Sequence, residues 1–191
     1  MQDMQKDIES ILADEAKLAE ICDRLAARIT EDYRESDRDL VFVIILKGSV
    51  YFATDLIRRI PLRCEMEFMK VSSYGASTTT SGFIQVHLDL KRDVQGADVI
   101  VIEDIIDSGR TLEKLSHLLA DRGAHSVRFC TLLDKPARRI PELDIHADYT
   151  GFTIENEFVV GYGLDYKEVY RNLPFIGVLK PEVYENKGAK L

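Results

Sequence analysis

The sequence predicts an α/β fold in which a doubly wound, mostly parallel sheet carries helices on both faces. Two observations lead to this prediction. Residues 40–46, 98–103 and 126–133 are rich in apolar side chains, as expected of strands covered on both faces of a parallel sheet. Helical periodicity follows the first two runs, so strands and helices alternate along the chain. The 191 residues, 46% of them hydrophobic, suffice for one domain with its own core.

The chain is expected to open with an amphipathic helix from Ile8 to about Ile29. Its apolar positions recur at helical spacing: Ile8, Ile11, Leu12, Leu18, Ile21, Cys22, Leu25 and Ile29. The first strand, LVFVIIL, stops at Lys47-Gly48, and Ser49 is expected to cap the helix that follows. That second helix presents a single apolar stripe and is expected to end at Pro61.

Residues 65–90 follow a different pattern. Ile84, Val86, Leu88 and Leu90 alternate with polar residues, which predicts two antiparallel strands joined by a loop from Ser72 to Gly82. The loop is almost all Ser, Thr, Gly and Ala with one Tyr, so burial cannot hold it folded. It is either idle or a lid, and the lid is favoured because long loops in compact domains are usually functional.

The second strand-helix unit runs from DVIVIE through a loop at residues 104–108 into a helix with a leucine stripe. Gly123 is expected to close this helix. A third strand, SVRFCTLL, then leads into Asp134-Lys135-Pro136. In doubly wound sheets ligands bind beyond the carboxyl ends of the strands. The most informative loops of this chain all lie at those ends.

Composition narrows the class of partner. The formal net charge is −8, and no run of Lys and Arg stands out, which argues against nucleic acid or an anionic membrane as partner. No apolar run is long enough to cross a bilayer, and the N-terminus lacks a signal-peptide pattern. Cys22, Cys64 and Cys130 lie far apart without metal-ligand spacing and are expected to be reduced, mostly buried thiols. The expected location is therefore cytoplasmic.

The segment DSGRT, residues 107–111, has the properties of a phosphate cradle. A helix start presents unpaired N–H groups and a positive dipole end. Gly109 allows close backbone approach, and Ser108 and Thr111 add hydroxyl groups. The segment matches neither the Walker motif nor the Gly-x-Gly-x-x-Gly dinucleotide loop.

Glu103 and Asp104 precede this cradle at the end of the strand. An ordinary capped helix after a strand would account for Asp107 and Ser108, but it would leave these two carboxylates unexplained. Vicinal carboxylates can accept hydrogen bonds from the hydroxyls of a ribose and can share a bound cation. The residues therefore predict a ribose phosphate as ligand.

At this point the run VIVIEDIIDSGRTL resembles the 5-phosphoribosyl 1-pyrophosphate (PRPP) signature of the phosphoribosyltransferases. Four further motifs follow the order found in the purine enzymes of that family that act on hypoxanthine and guanine: LKGSVYFATDL, SSYG, DKPARR and FVVGYGLDYKEVYRNLPFIGVLKPEVY. The resemblance spans about Leu40 to Pro181. It implies the type I fold, with a core of about residues 36–155 and a small hood formed by residues 156–191 with N-terminal residues, all within one domain, 1–191.

The resemblance also implies the substrate-binding residues. The signature contributes Glu103, Asp104, Ile105, Ile106, Asp107, Ser108, Gly109, Arg110 and Thr111. Lys47, Gly48 and Arg171 would bind pyrophosphate, and Ser73 and Tyr74 would begin the lid. Magnesium would be the cofactor, held at Glu103, Asp104 or Asp165, unless Asp165 lies instead near the 2-position of the base. Asp107 would act as general base or would stabilise the proton on N7 of the base.

The residues themselves support an oxopurine as the base. The ammonium of Lys135 only donates hydrogen bonds, so near the 6-position of a purine it accepts an oxo group and rejects an amino group. Taken alone, Lys135 is equally well a solvated lysine in a turn. Phe158 offers a face for stacking, although it is also a plausible core residue, and the resemblance adds the Val159 backbone to base recognition.

The implied reaction converts hypoxanthine or guanine with PRPP into the nucleoside monophosphate and pyrophosphate. Two other functions are compatible with parts of the sequence. A PRPP-sensing regulator would need a basic exposed face, which an acidic chain disfavours, whereas a xanthine-preferring enzyme differs only at the base pocket and stays open. The family commonly forms homodimers and homotetramers.

Overall fold

The computed structural model describes residues 4–73, 84–143 and 145–185. Its larger sheet contains β2 (Leu40–Ile45), β3 (Glu65–Ser73), β4 (Ile84–Leu88), β5 (Asp98–Ile106), β6 (Ser126–Asp134) and β7 (Tyr149–Thr153). A smaller sheet contains β1 (Ile8–Ala13), β8 (Val159–Val160) and β9 (Ile176–Leu179). The helices are α1 (Glu15–Tyr33), α2 (Val50–Ile57), α3 (Arg110–Asp121) and α4 (Pro181–Glu185), with short 3-10 turns at Met4–Asp7 and Pro136–Arg138.

The larger sheet has the strand order β4-β3-β2-β5-β6-β7. All of its neighbours are parallel except β3 and β4, which form an antiparallel hairpin. Alternate residues of the central strands reach opposite faces, as strand geometry requires. Phe42 and Ile44 pack in a core with α1 and α2, whereas Val41 and Val43 pack in a second core with α3. The sheet is therefore doubly wound, as the sequence predicts.

The smaller sheet joins the two ends of the chain. Its order is β1-β9-β8, with both pairings antiparallel. A third core, formed by Val160, Tyr170, Leu173, Phe175 and Leu179, lies beside it. This sheet takes its strands from both terminal segments of the chain.

Two local predictions were wrong. The opening helix begins at Glu15 and not at Ile8, because Ile8–Ala13 forms β1 against β9 and Asp14 caps α1 by accepting a hydrogen bond from the Lys17 backbone N–H at 2.8 Å. Ser49 does not cap α2 with its side chain; its hydroxyl donates to the Ile45 carbonyl at 2.5 Å. By contrast Gly123, at φ +79°, ends α3 as predicted. Within the described residues, no helix is long and apolar enough to span a membrane.

Candidate active site

The predicted functional segments converge at one edge of the larger sheet. Because β2, β5 and β6 are parallel neighbours, their carboxyl ends lie side by side, and the segments that follow them contain Lys47, Asp107 and Lys135. A pocket at this edge is lined by Ile45, Leu46, Lys47, Gly48, Val71, Ser72, Glu103, Asp104, Thr111, Asp165 and Arg171. The chain thus assembles the candidate site from segments that are far apart in sequence.

The turn at residues 107–111 forms the N-terminus of α3. Gly109 occupies the N-cap position at φ +86°, a left-handed conformation that suits glycine. A side chain there would also crowd the neighbouring loop, since an added Cβ would lie 3.3 Å from Cδ of Arg139. The glycine therefore exposes the first amides of a twelve-residue helix, which is the geometry that favours an anion.

Glu103 and Asp104 end the apolar part of β5; Glu103 is buried, and Asp104 is partly exposed. Burial raises the pKa of Glu103 well above its ordinary range, and the neighbouring Asp104 charge raises it further. Burial likewise raises the pKa of Asp104 to about 6, although its Oδ1 accepts a hydrogen bond from the Ile105 backbone N–H at 2.8 Å. Two adjacent carboxyl groups whose ionised forms are disfavoured by burial are suited to a ligand that is cationic or rich in hydroxyl groups.

Gly48 lets the loop after β2 contact these carboxyls closely. An added Cβ at Gly48 would lie 1.5 Å from Oδ2 of Asp104, and one at Gly163 would lie 1.9 Å from the Gly48 carbonyl oxygen. Gly163, at φ +105° and against backbone, therefore requires glycine, whereas a side chain at Gly48 would force the Asp104 carboxyl to move. The Leu46–Lys47 peptide bond before Gly48 is cis. Sequence reasoning singled out Gly48 but missed the close approach of Gly163.

A small charge network faces the same pocket. Lys47 Nζ lies 2.6 Å from Oε2 of Glu168, and Arg171 Nη2 lies 3.3 Å from Oε1 of the same carboxylate. Arg171 also pairs with Asp165 at 2.8 Å and donates to the Gly163 carbonyl at 2.7 Å. The contact with Lys47 lowers the pKa of Glu168. Lys47, Asp165 and Arg171 were predicted site residues, whereas Glu168 was not.

Asp107 and Lys135 lie on adjacent strand ends. Arg138 donates through Nε to Oδ1 of Asp107 at 3.0 Å, and the Lys135 backbone N–H donates to the Ile106 carbonyl at 3.0 Å. Burial lowers the pKa of the Lys135 ammonium, and the positive charge of Arg138 acts in the same direction. Arg138 belongs to the DKPARR segment, but nothing in its spacing marked it as the partner of Asp107.

Phe158 has one face covered by another ring. Its ring stacks on Tyr184 at a centroid distance of 4.9 Å and an interplanar angle of 20°, and the Tyr166 ring meets it edge-on at 5.6 Å. Phe158 is still 37% exposed. Val159 is buried in β8. No pattern in the sequence indicated that the C-terminal helix would support this ring.

The remaining predicted residues are placed as follows. Ile106 is buried, whereas Ile105, Ser108 and Thr111 are partly exposed and Arg110 is exposed. Ser73 ends β3, and Tyr74 with most of the predicted lid lies outside the described residues. Among the residues that the structure describes, no three His, Cys, Asp or Glu side chains form a cluster that would hold a metal ion by themselves.

Comparison with known proteins identifies the family of this chain. The sequence matches the phosphoribosyl transferase domain over residues 9–167. It is 49% identical over 183 residues to the hypoxanthine-guanine phosphoribosyltransferase of Streptococcus pneumoniae, which covers 96% of this chain and 99% of that protein. The crystal structure of a hypoxanthine phosphoribosyltransferase from Staphylococcus aureus aligns with a TM-score of 0.89 at 47% identity, over 97% of this chain and 100% of that one.

The domain match over residues 9–167, together with the doubly wound sheet, defines a phosphoribosyltransferase. A second similar protein, the hypoxanthine-guanine phosphoribosyltransferase of Staphylococcus epidermidis, is 50% identical over 181 residues, 95% of this chain and 99% of that protein. The chain therefore belongs to the hypoxanthine-guanine phosphoribosyltransferase family.

Proposed function

We propose that this chain transfers the 5-phosphoribosyl group of PRPP to hypoxanthine or guanine, releasing pyrophosphate and forming IMP or GMP for purine salvage. The observation that carries the proposal is the turn at residues 107–111, placed after the buried Glu103 and the partly buried Asp104 and beside a pocket with Lys47 and Arg171. A phosphate group, a ribose and a pyrophosphate each have a chemically matched set of residues along this edge.

The PRPP-binding roles follow from the chemistry of each group. The amides at the start of α3, with the Ser108 and Thr111 hydroxyls, would bind the 5-phosphate. Glu103 and Asp104 would bind the ribose hydroxyls, since carboxylates accept hydrogen bonds from vicinal diols. The Lys47 ammonium and the Arg171 guanidinium would bind the pyrophosphate.

The donor set also fits magnesium. Mg²⁺ is usually held by one or two carboxylates together with substrate phosphates and water, rather than by a cage of protein ligands. Glu103, Asp104 and Asp165 line the pocket, so the carboxylates would hold an ion that PRPP also coordinates. Bound there, the ion would offset the negative charge that develops on the leaving pyrophosphate.

The reaction breaks the bond between the anomeric carbon and the pyrophosphate oxygen, and the electron pair leaves with the pyrophosphate. A bond forms from N9 of the purine to that carbon, and the purine loses one proton. Positive charge develops on the ribose as the bond breaks, so the carboxylates of Glu103 and Asp104 would stabilise it. Lys47 and Arg171 would stabilise the departing anion.

Asp107 is proposed to accept or stabilise the purine proton. It lies at the carboxyl end of the same strand as Glu103 and Asp104, and Arg138 holds one of its carboxylate oxygens at 3.0 Å. The second oxygen is then free to meet the base. Arg138 would fix the orientation of this carboxylate.

Recognition of the base is proposed to combine hydrogen bonding with stacking. Lys135 would donate to the 6-oxo group, and an adenine amino group would leave two donors facing each other. Phe158 would stack on the purine through the face that Tyr184 does not cover. Val159 would contribute its backbone. Ser73 and Tyr74 would begin a lid that excludes water from the reacting ribose.

A homo-oligomer is also proposed. Met66, Phe68 and Leu88 are 42%, 37% and 41% exposed on the β3–β4 hairpin. They line one apolar depression with Leu46. Leu46 directly precedes Lys47, so this surface adjoins the loop proposed to bind pyrophosphate. Exposed apolar patches of this kind mark interfaces, and a second copy of the chain is the proposed partner. Three free cysteines support a reducing, cytoplasmic location.

The proposal is tested by following absorbance when the purified protein receives PRPP, magnesium and one of four bases. Turnover of hypoxanthine or guanine with pyrophosphate release is expected, with little or no turnover of adenine. Turnover of xanthine alone would favour the xanthine-preferring alternative. Turnover of adenine alone would refute the role of Lys135, and no turnover of any base would refute the proposed function.

A further inference from the structure

Glu168 lies between the two cations to which pyrophosphate binding is assigned. Its Oε2 lies 2.6 Å from Lys47 Nζ and its Oε1 lies 3.3 Å from Arg171 Nη2, so one carboxylate bridges both groups. Lys47 and Glu168 are 121 positions apart in the chain. A carboxylate in this position presents the same kind of oxygen atoms that a phosphate group would present.

The backbone around Glu168 is built to place this carboxylate. Lys167, Glu168 and Tyr170 have φ angles of 51°, 66° and 76°, and such left-handed conformations are unfavourable for residues with a side chain. Contacts hold the turn in place: the Glu168 backbone N–H donates to Oδ2 of Asp165 at 2.8 Å, and the Tyr170 hydroxyl donates to Asp7 at 2.8 Å. The position of the carboxylate is therefore imposed by the fold.

The contact is also easy to displace. The Glu168 side chain is 64% exposed and that of Lys47 is 51% exposed, and ion pairs exposed to this degree contribute little to stability. A doubly or triply charged phosphate group attracts the same two cations more strongly than one carboxylate does. Glu168 must therefore leave Lys47 and Arg171 when a pyrophosphate group arrives.

We infer that Glu168 is an internal counter-ion that competes with the pyrophosphate group of PRPP, and with free pyrophosphate, for Lys47 and Arg171. It offsets one of the two positive charges and orients both cations before pyrophosphate binds, and it weakens the hold of the site on the product. This inference rests on the proposed function, because it takes the pyrophosphate roles of Lys47 and Arg171 from it.

The test compares Glu168→Gln with Glu20→Gln by calorimetric titration of inorganic pyrophosphate in the presence of magnesium. Glu20 is a matched control: it is 68% exposed and pairs with Lys17 at 3.0 Å on α1, so its substitution removes the same charge elsewhere. Glu168→Gln should bind pyrophosphate about two- to five-fold more tightly, given the usual strength of exposed ion pairs. Glu20→Gln should leave the affinity unchanged, and neither should alter the KM for hypoxanthine.

Two further measurements separate competition from a merely structural role. The increase in pyrophosphate affinity caused by Glu168→Gln should become smaller as the salt concentration rises, because exposed charges are screened. Most of that increase should also be lost when Lys47 is replaced by Met. Unchanged or weaker pyrophosphate binding by Glu168→Gln, an equal gain in Glu20→Gln, or a gain that survives Lys47→Met would overturn the inference. A wild-type protein that binds no pyrophosphate and turns over no base would instead overturn the proposed function.

Discussion

Replacing Asp104 by Asn should stabilise the folded chain while it weakens PRPP binding. Burial raises the pKa of Asp104 from its ordinary 3.8 to about 6, so the ionised carboxylate opposes folding at neutral pH. One pKa unit corresponds to about 1.4 kcal/mol, which makes the whole rise worth roughly 3 kcal/mol. Because part of the side chain reaches solvent, we expect a gain of about 1 to 2 kcal/mol.

The sign of the pH dependence follows from linkage. A carboxyl whose pKa is higher in the folded state than in the unfolded state binds more protons when folded, so wild-type stability should fall as pH rises from about 4 to 6. The Asn variant removes that fall. Its advantage should be small at pH 4 and complete above pH 7, where the Glu103 carboxyl also loses a repulsive neighbour.

Urea unfolding of both proteins at several pH values measures the effect, together with PRPP titration of the folded proteins. Asp98→Asn is the matched control on the same strand, because that buried carboxylate already accepts hydrogen bonds from Ser36 at 3.0 Å and Ser126 at 2.6 Å. Asp98→Asn should destabilise the chain or leave it unchanged. An Asp104→Asn protein that is less stable at pH 8, or that binds PRPP as tightly as wild type, would refute the reasoning.

Three further variants test individual residues. Asp107→Asn should cut turnover about 100-fold with little change in PRPP affinity, the usual scale for loss of a general base; an unchanged rate constant would remove its role. Tyr184→Ala should raise the KM for hypoxanthine roughly two- to ten-fold by unstacking Phe158, while Tyr184→Phe should behave as wild type. Gly163→Ala should abolish PRPP binding because its Cβ would lie 1.9 Å from the Gly48 carbonyl oxygen, whereas Gly96→Ala, with nothing within 4 Å, should not.

The sequence predicted the parts of the fold that depend on local pattern. The apolar runs at residues 40–46, 98–103 and 126–133 became the parallel strands β2, β5 and β6, because strands covered on both faces need apolar residues at every position. The turn at residues 107–111 was equally predictable from the sequence, since a glycine before a leucine-spaced helix specifies an exposed helix start. Local chemistry and local structure coincide in this segment.

What escaped prediction depends on contacts between distant residues. Ile8, Ile11 and Leu12 fit helical spacing, and only pairing with β9, about 170 residues away, makes this segment a strand. The pairing of Lys47 with Glu168 spans 121 positions and that of Asp107 with Arg138 spans 31. No periodicity in the sequence records such pairs. The site residues that belong to motifs could therefore be predicted from the sequence, whereas the residues that hold them in position could not.

The central claim is that the turn at residues 107–111 binds the 5-phosphate of a ribose, and that the hydroxyls of this ribose face Glu103 and Asp104. A crystal structure with IMP bound tests it most directly. The account predicts the phosphate within hydrogen-bonding distance of the main-chain amides at the start of α3 and the ribose beside the two carboxyls. A nucleotide bound elsewhere, with that turn empty, would contradict it.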